Sequence, residues 1–251
     1  MSDDRAWELA RDAAAKAGVE LRRLDALDDA DLILDVMIDT WGEHQLVPRE
    51  MLRAFPESGN VPYGAFDGDR IVGYVLGWAG VDARDGLHIH SHMLAVRPGL
   101  RHGGVGYALK LAQRAAALDQ RIPVVRWTFD PMIARNAWFN IGKLGAVCDR
   151  FERNFYGEMT DLVNRGERSD RFVVRWDLAR EPGPREVRPV ARLEVPPDHE
   201  ELRRSDPAEA SAWRDRVADA IEDQMRLGRV AAGFDRDSHV YWFVDASGVA
   251  E

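Results

Sequence analysis

A glycine-rich turn between a predicted strand and a predicted helix is the feature that most constrains this chain. Pro98-Gly99 ends an apolar strand that runs from Leu87 to Val96, and a helix follows from about Val105 to Asp119. The connection contains Arg101-x-x-Gly104-x-Gly106. Glycine lets the backbone approach an anion closely, and the first amides of a helix have no partner inside it. The turn predicts a phosphate site, unless its glycines only make a tight strand-to-helix connection.

The phosphate group that the turn would hold belongs to a small molecule. Its spacing differs from the dinucleotide motif Gly-x-Gly-x-x-Gly, and it lacks the Gly-Lys-Ser/Thr ending of a P-loop. The formal net charge of −9 disfavours nucleic acid, because a phosphate polymer needs clustered Lys and Arg. The basic segment from Arg97 to Lys110 is short, and a small phosphorylated ligand explains it better than a polymer does.

Periodic patterns predict strands and helices along the rest of the chain. Asp67-Gly68-Asp69 is a hairpin signal between two apolar runs. The predicted helices span 4–17, 29–41, 105–119, 134–143 and 207–227, with a short one starting at Pro48. The predicted strands span 19–24, 63–66, 70–78, 87–96, 124–129, 147–155, 172–178, 187–195, 230–234 and 240–244. This order indicates a mixed α/β protein.

Two segments carry a resemblance to a known superfamily. Leu94-x-Val96-x-Pro98-x-x-Arg101-x-Gly103-Gly104-x-Gly106 resembles motif A of the GNAT acyltransferases. Asn136-Ala137-Trp138-Phe139, followed by Lys143-Leu144-Gly145-Ala146, is similar to their motif B. The resemblance implies an α/β fold of the GNAT type, with a mixed, mostly antiparallel sheet flanked by helices and a C-terminal α+β extension. It covers roughly residues 19 to 160.

The chain is predicted to contain a core and an extension. Residues 1–180 would form the GNAT core with an N-terminal helix. Residues 181–251 would form a strand–helix–hairpin extension packed on that core, because the prolines and glycine of Glu181-Pro182-Gly183-Pro184-Arg185 are typical of a linker.

The resemblance implies an acyl-CoA as co-substrate, either acetyl-CoA or succinyl-CoA. Amides of the turn would hold the pyrophosphate, with positive charge from Arg97, Arg101 and His102. Main-chain groups of Leu94 and Val96 would pair with the pantetheine arm, and an amide near Met93 or Leu94 would stabilise an oxyanion. The implied cofactor-binding residues are Leu94, Val96, Arg101, His102, Gly103, Gly104, Val105, Gly106 and Asn136.

The general acid departs from the family pattern. Many GNAT enzymes have a tyrosine four residues before the glycine of motif B, and this chain has Ile141 there. Tyr156 and Tyr107 are the candidates to replace it. A CoA thiolate is also a tolerable leaving group, so an acid is not indispensable.

Three histidines on one predicted strand are candidates for the general base. His88, His90 and His92 alternate with other residues, so they share one face. Same-face neighbours on a strand lie roughly 6.5 to 7 Å apart, and three would not readily converge on one metal ion. We therefore predict no metal and favour His92, then His90, as the base. Histidines that merely hydrogen-bond on a half-buried sheet face are the alternative.

Glu43 and Arg171 are the candidate acceptor-binding residues. Glu43 follows Trp41-Gly42 and could hold a substrate ammonium or act as base, or it could be a solvated loop acid. Arg171 ends an unusually polar stretch that begins near Tyr156, and it could clamp a carboxylate bidentately. An exposed loop with local Asx turns would also explain that stretch.

The same polar stretch narrows the resemblance to one long branch. Tyr156-Gly157, Asn164-x-Gly166 and Ser169-Asp170-Arg171 resemble a branch that includes the amino-acid N-succinyltransferases associated with N-succinylamino-acid racemases. That likeness implies an amino-acid acceptor and a succinyl donor. The predicted reaction is direct attack of a small-molecule amine on the thioester in a ternary complex. A noncatalytic acyl-CoA-binding module and a protein N-acetyltransferase remain as alternatives.

Composition indicates a cytoplasmic protein. Cys148 is the only cysteine, so an intramolecular disulfide is excluded. The charged start Met1-Ser2-Asp3-Asp4-Arg5 predicts no signal peptide, and no apolar run of roughly 18 residues suggests a membrane span. A homodimer built through the C-terminal extension is left open.

Overall fold

The structure is a computed structural model that describes residues 3–43, 46–60, 62–100, 103–159, 161 and 166–249. The chain divides into two compact units. The first unit is Met1–Val125 with Thr160–Val163, and the second is Arg126–Met159 with Asn164–Glu251.

The first unit is a sheet with helices on both faces. Its elements in chain order are α1 (Asp3–Ala17), β1 (Glu20–Arg23), α2 (Asp29–Trp41), α3 (Arg49–Glu57), β2 (Tyr63–Asp67), β3 (Arg70–Asp82), β4 (Gly86–Val96) and α4 (Val105–Asp119). The strands β1 to β4 lie side by side in sequence order, and each neighbouring pair is antiparallel. The predicted hairpin is confirmed, with Asp67 opposite Arg70 and Gly68 at a φ of 58° in the turn.

Alternating side chains of this sheet pack into two separate hydrophobic cores. One core packs α2 and α3 on the sheet through residues such as Ile33, Met37 and Tyr74. The other packs α1 and α4 on the opposite face, and the fully buried Leu109 is one of its members. Successive side chains of these strands therefore point alternately to the two helix layers, and β4 lies between those layers.

The second unit is built mainly from the C-terminal half. Its elements are most of β5 (Val124–Phe129), then α5 (Ala134–Ala137), a π-helical turn (Trp138–Lys143), β6 (Val147–Glu152), β7 (Arg171–Asp177), β8 (Ala191–Glu194), α6 (His199–Ser205), α7 (Pro207–Arg226), β9 (Arg229–Asp235), β10 (Val240–Asp245) and a 3-10 turn (Ala246–Val249). Its strands follow the order β5, β7, β6, β9, β10, β8, and α7 packs against β6, β8 and β9.

Two features of the C-terminal half differ from the sequence prediction. The strand predicted over 187–195 is only Ala191–Glu194, because the residues before it lack a regular ladder. The helix α6 was not predicted; the side chain of Asp198 caps it by accepting a hydrogen bond from the Glu201 amide. The segment 181–185 lies within the second unit, and the division into residues 1–180 and 181–251 stays a prediction. Among helices of the described residues, none is long and apolar enough to cross a membrane.

Candidate active site

A β-bulge at His92 shapes the middle of β4. Leu76 of β3 lies opposite Met93, and the next residue, Gly77, lies opposite Ser91, so His92 is the extra residue. Bulges re-aim side chains, and they are frequent near active sites. Here the imidazoles of His90 and His92 both lie 5.0 Å from the Trp78 ring, centroid to centroid, and 5.8 Å from each other.

The tryptophan under these two histidines is itself held in place. Phe55 of α3 stacks on Trp78 with ring centroids 5.8 Å apart and planes only 5° from parallel. His88 is separate from this group. It is buried, its Nδ1 lies 3.0 Å from the carbonyl oxygen of Gly86, and its ring fills the space beside Gly80. The third histidine therefore has a packing role.

Both histidines of the pair are poor proton binders. Burial, and to a smaller extent the charges of His92, His88 and Lys110, lower the pKa of His90 to about 4. Desolvation also lowers the pKa of His92, although part of its ring is exposed. Both imidazoles are thus neutral at pH 7 and can accept a proton. Among the described residues, no group of three or more His, Cys, Asp or Glu could hold a metal ion.

A buried lysine lies on the opposite face of β4. The Nζ of Lys110 donates to the Ser91 hydroxyl and to the Gln113 side chain, both at 2.9 Å. Burial holds the pKa of Lys110 well below its usual value. We did not predict this residue, because a lone lysine in an amphipathic helix pattern is normally solvated.

The glycine turn leads directly into α4. Gly104 is the N-cap residue in a left-handed conformation, with φ 89°, and no side chain caps the helix. The Gly103 amide donates to the Leu100 carbonyl at 3.2 Å. The amides of the first helical turn have no intrahelical partner, so they and the helix dipole favour an anion at this end of α4.

The glycines of the turn have two different reasons to be glycine. Gly99 and Gly104 adopt φ of 88° and 89°, which other residues adopt only with strain. Gly103 and Gly106 do not adopt positive φ, and a Cβ at Gly106 would lie 3.7 and 3.8 Å from the Leu94 and Val96 side chains, an ordinary contact. Neither backbone conformation nor packing against the described residues therefore requires glycine at positions 103 and 106. Close approach of a ligand would give a reason for both glycines.

The positive charges expected beside the turn are only partly described. Arg97 donates from Nε to the Ile71 carbonyl at 2.9 Å and forms an ion pair with Asp39. The positive charge of Arg97 is therefore paired with the carboxylate of Asp39 in α2. Arg101 and His102 lie outside the described residues.

Glu43 lies just beyond the end of α2. Gly42 adopts φ 82° and its amide closes the helix onto the Ile38 carbonyl. The Glu43 side chain is exposed and makes no hydrogen bond or ion pair with another described residue. This exposure fits a ligand-binding role, and it fits a solvated loop acid equally well.

The motif B segment is helical, as predicted, but changes from α to π geometry at Trp138. Asn136 is half-buried, and its carboxamide has no hydrogen bond within the described part of the chain. Ile141 is only 1% exposed, so the position where many GNAT enzymes have a tyrosine belongs to the core here. Asn140, which we did not predict, is buried and accepts from the Trp127 indole at 3.1 Å.

Tyr156 lies on a loop that Ser169 and Asp170 organise. The Ser169 hydroxyl accepts from the Tyr156 amide at 2.9 Å, and the Asp170 carboxylate accepts from the Asn154 amide at 3.0 Å. The Tyr156 hydroxyl lies 3.0 Å from the Thr128 hydroxyl and is partly exposed. Ser169 and Asp170 thus support a loop that presents an accessible phenol. Asn164 lies outside the described residues.

Arg171 is buried beside this loop. Its guanidinium donates to the Asp170 carbonyl at 2.9 Å, lies 3.7 Å from the Asp130 carboxylate and is 5.5 Å from the Tyr156 ring centre. A substrate carboxylate at Arg171 would share the guanidinium with these groups. The substrate-clamp role stays a prediction.

An unpredicted buried charge cluster adjoins Asp130. Arg214 of α7 donates to both Asp130 oxygens and, at 2.7 Å, to Glu167, which also meets His199 Nε2 at 2.9 Å. Burial raises the pKa of Glu167, but His199 and Arg214 outweigh it and lower the value to about 2. No local pattern marks such a cluster, because its members are far apart in sequence.

Part of this chain matches a known protein family. Residues 30–137, which include β4, the glycine turn, α4 and Asn136, match the model of the acetyltransferase (GNAT) family. The chain contains a GNAT acetyltransferase domain. It has the GNAT fold, with a mixed sheet flanked by helices, and it is an acyl-CoA-dependent transferase. No curated protein sequence matches the chain.

Three solved structures illustrate what this chain is similar to. Naa20 of Chaetomium thermophilum, in complex with a bisubstrate analogue, has a TM-score of 0.51 and 19% identity, covering 65% of this chain and 88% of its own. The ribosomal-protein-S18-alanine N-acetyltransferase of Escherichia coli has a TM-score of 0.49 and 12% identity, covering 69% and 99%. Arabidopsis thaliana Naa50 with the bisubstrate analogue CoA-Ac-MVNAL has a TM-score of 0.48 and 15% identity, covering 63% and 97%. At 19% identity, the likeness to Naa20 concerns the fold alone.

Proposed function

We propose that this GNAT protein transfers an acetyl or succinyl group from acyl-CoA to the amine of a small molecule, with an amino acid as the first candidate. The amine attacks the thioester directly in a ternary complex. The observation that supports this most is the pair Gly103 and Gly106, which the fold does not require to be glycine. A pyrophosphate that lies against the turn would give a reason for glycine at these two positions.

The groups that would hold acyl-CoA are mostly backbone. Amides from Gly103 to Gly106 would hold the pyrophosphate, and Arg101 and His102 would add charge. The main chain at Leu94 and Val96 would pair with the pantetheine arm, and Asn136 has a carboxamide with no hydrogen bond to another described residue. When bound, acyl-CoA supplies the electrophilic thioester carbonyl.

His92 is the proposed general base, with His90 beside it. A base must be unprotonated before it can act, and the lowered pKa values of both rings meet that condition at pH 7. Trp78 orients both rings, so the base is held in one geometry. The bulge at His92 also interrupts the ladder next to Met93, where an amide can turn to a developing oxyanion.

Tyr156 and the two acceptor-binding candidates complete the proposal. The Tyr156 phenol is exposed and can donate a proton to the departing thiolate. Glu43 would hold the acceptor ammonium before deprotonation. Arg171 would share its guanidinium with an acceptor carboxylate, which fits an amino acid better than a simple amine.

The experiment is a thiol-release assay with acetyl-CoA and succinyl-CoA over amino acids, simple amines and short peptides with free N-termini. We expect turnover with an amino acid and a fall in kcat/KM of about 10²- to 10⁴-fold in His92→Gln. His88→Gln is the matched control, since His88 packs away from Trp78, and it should retain activity if it remains folded.

Three outcomes would contradict the proposal. Turnover only with peptides would make the protein a protein N-acetyltransferase. CoA binding without turnover on the whole panel would favour a noncatalytic module. An obligatory acyl-protein adduct would exclude direct attack.

A further inference from the structure

Thr128 lies near the end of β5, beside a residue of the proposed reaction. Its side chain is half-buried, and its hydroxyl oxygen lies 3.0 Å from the Tyr156 hydroxyl oxygen, where either group can be the donor. Local sequence patterns do not mark Thr128, because the two residues are 28 positions apart in the chain. The proposed function uses Tyr156 and gives Thr128 no role.

The Tyr156 ring is held by contacts that do not involve its hydroxyl. The Tyr156 amide donates to the Ser169 hydroxyl at 2.9 Å. The Phe155 ring meets the Tyr156 ring nearly edge-on, with centroids 4.7 Å apart, and the Arg171 guanidinium lies 5.5 Å from the ring centre. These contacts fix the phenol oxygen, but only a partner of that oxygen can direct its hydrogen. Within the described part of the chain, that partner is Thr128.

The loop that carries Tyr156 is anchored at several points. The Asn154 amide donates to the buried Asp170 carboxylate at 3.0 Å, and Arg168 donates to both oxygens of the same carboxylate at 2.7 and 2.8 Å. Arg153 donates to both oxygens of Glu222 in α7 at 2.6 and 3.0 Å. The hydroxyl pair is therefore part of an anchored structure and not a chance contact between two mobile side chains.

We propose that Thr128 is a positioning residue for Tyr156, an inference that rests on the proposed role of Tyr156 as general acid. With the Thr128 hydroxyl donating to the phenol oxygen, the phenol hydrogen is left for the sulfur of the leaving group. As the carbon–sulfur bond breaks, the sulfur takes this proton and the O–H electron pair stays on Tyr156. Thr128 keeps its own proton and donates to the phenolate, which solvent then reprotonates. A hydrogen bond to an anion is stronger than one to a neutral phenol, so Thr128 stabilises the transition state more than the bound substrate.

The first test is the kinetics of Thr128→Val and Thr128→Ser in the acyl-transfer assay. Valine keeps the shape and the strand preference of threonine and removes only the hydroxyl. We expect Thr128→Val to lower kcat about 10- to 100-fold and to change KM less than about twofold, because the bond strengthens only as charge develops on the phenol. Thr128→Ser keeps the hydroxyl and should retain kcat within about threefold.

A double-mutant cycle shows whether Thr128 acts through Tyr156. In a Tyr156→Phe background, Thr128→Val should have no further effect on kcat, because the phenol that Thr128 assists is gone. Equal losses in the two backgrounds, or a Thr128→Ser variant as slow as Thr128→Val, would overturn the role of Thr128 alone. An unchanged kcat in Tyr156→Phe would contradict the proposed general acid and with it this inference.

The contact itself is measured without any substrate. In the unmodified chain we expect nuclear Overhauser effects between the Tyr156 ring protons next to the hydroxyl and the Thr128 methyl group. Their absence would overturn the positioning role whatever the turnover assay gives. Absence of turnover on the whole panel, with these effects present, would instead contradict the proposed function and leave the hydroxyl contact established.

Discussion

At the scale of single residues, the account rests on two imidazoles that the protein keeps unprotonated. His90 and His92 lie against one tryptophan ring, and desolvation is the main reason that their pKa values fall. An amine acceptor loses its proton to such a group only at a pH above the pKa of that group. The sequence showed that the histidines share a face, but not that Trp78 would cover two of them.

Replacing Trp78 tests this arrangement without any substrate. In Trp78→Leu the His90 ring gains water, so we expect its pKa to rise from about 4 toward the ordinary value of 6.5. Histidine proton resonances followed through a pH titration give the value directly. Phe55→Leu is the control, because it removes the ring that stacks on Trp78 but not the Trp78 ring that covers the histidines, so the His90 pKa should rise less than in Trp78→Leu.

The same titration carries a prediction for stability. The folded pKa of His90 lies below its unfolded value, so the unfolded chain binds the extra proton between about pH 6.5 and about pH 4. His90 therefore lowers the free energy of unfolding as pH falls through that window and has no effect above it. A His90 pKa near 6.5 in the folded protein would contradict both statements.

At the scale of elements, local patterns predicted most of the first unit. The bounds of α4 and β5 agree with the prediction, because apolar periodicity and flanking glycine or proline define their ends. The bulge at His92 could not be predicted, since register depends on the partner strand. The α6 helix was missed because it is short and its signal is a single capping aspartate.

A close approach between two glycines that are distant in sequence is a second feature that local sequence patterns do not predict. Gly145 adopts φ 70°, and a Cβ there would lie 2.1 Å from the Gly183 carbonyl oxygen. We expect Gly145→Ala to destabilise the protein by about 3 kcal/mol, from left-handed strain and overpacking together. Gly157→Ala is the matched control: it has the same φ of 70° but nothing within 4 Å of the added Cβ. It should cost only about 1 kcal/mol.

Urea denaturation at neutral pH measures both free energies of unfolding. Equal losses in the two variants would mean that the approach of Gly183 to Gly145 does not constrain the folded state.

At the scale of the whole molecule, the C-terminal segment completes a unit that begins before it. Cys148 of β6 pairs with Ala231 of β9, and Arg214 of α7 donates to both oxygens of the partly buried Asp130 carboxylate. Without α7, Asp130 would lose this ion pair. The predicted division into a core of residues 1–180 and an extension remains a prediction that this pairing makes testable.

We therefore expect a fragment of residues 1–180 not to fold into a stable domain. The full chain should give dispersed amide NMR spectra, and the fragment should lose dispersion for β6 and β7 or aggregate through the open edge of β6. A fragment with native dispersion and cooperative unfolding would support the division at residue 180 and contradict our expectation.

The measurement that tests the central claim most directly is coenzyme A affinity in Gly106→Ala. A Cβ at this position meets only ordinary contacts, and alanine favours the helix, so stability should stay unchanged or rise by up to about 1 kcal/mol. The same methyl group would lie beside Leu94 and Val96, whose main chain we propose to pair with the pantetheine arm, so calorimetric titration should show affinity reduced at least about tenfold. Unchanged affinity in a fully folded Gly106→Ala would show that the turn is only a connection between β4 and α4.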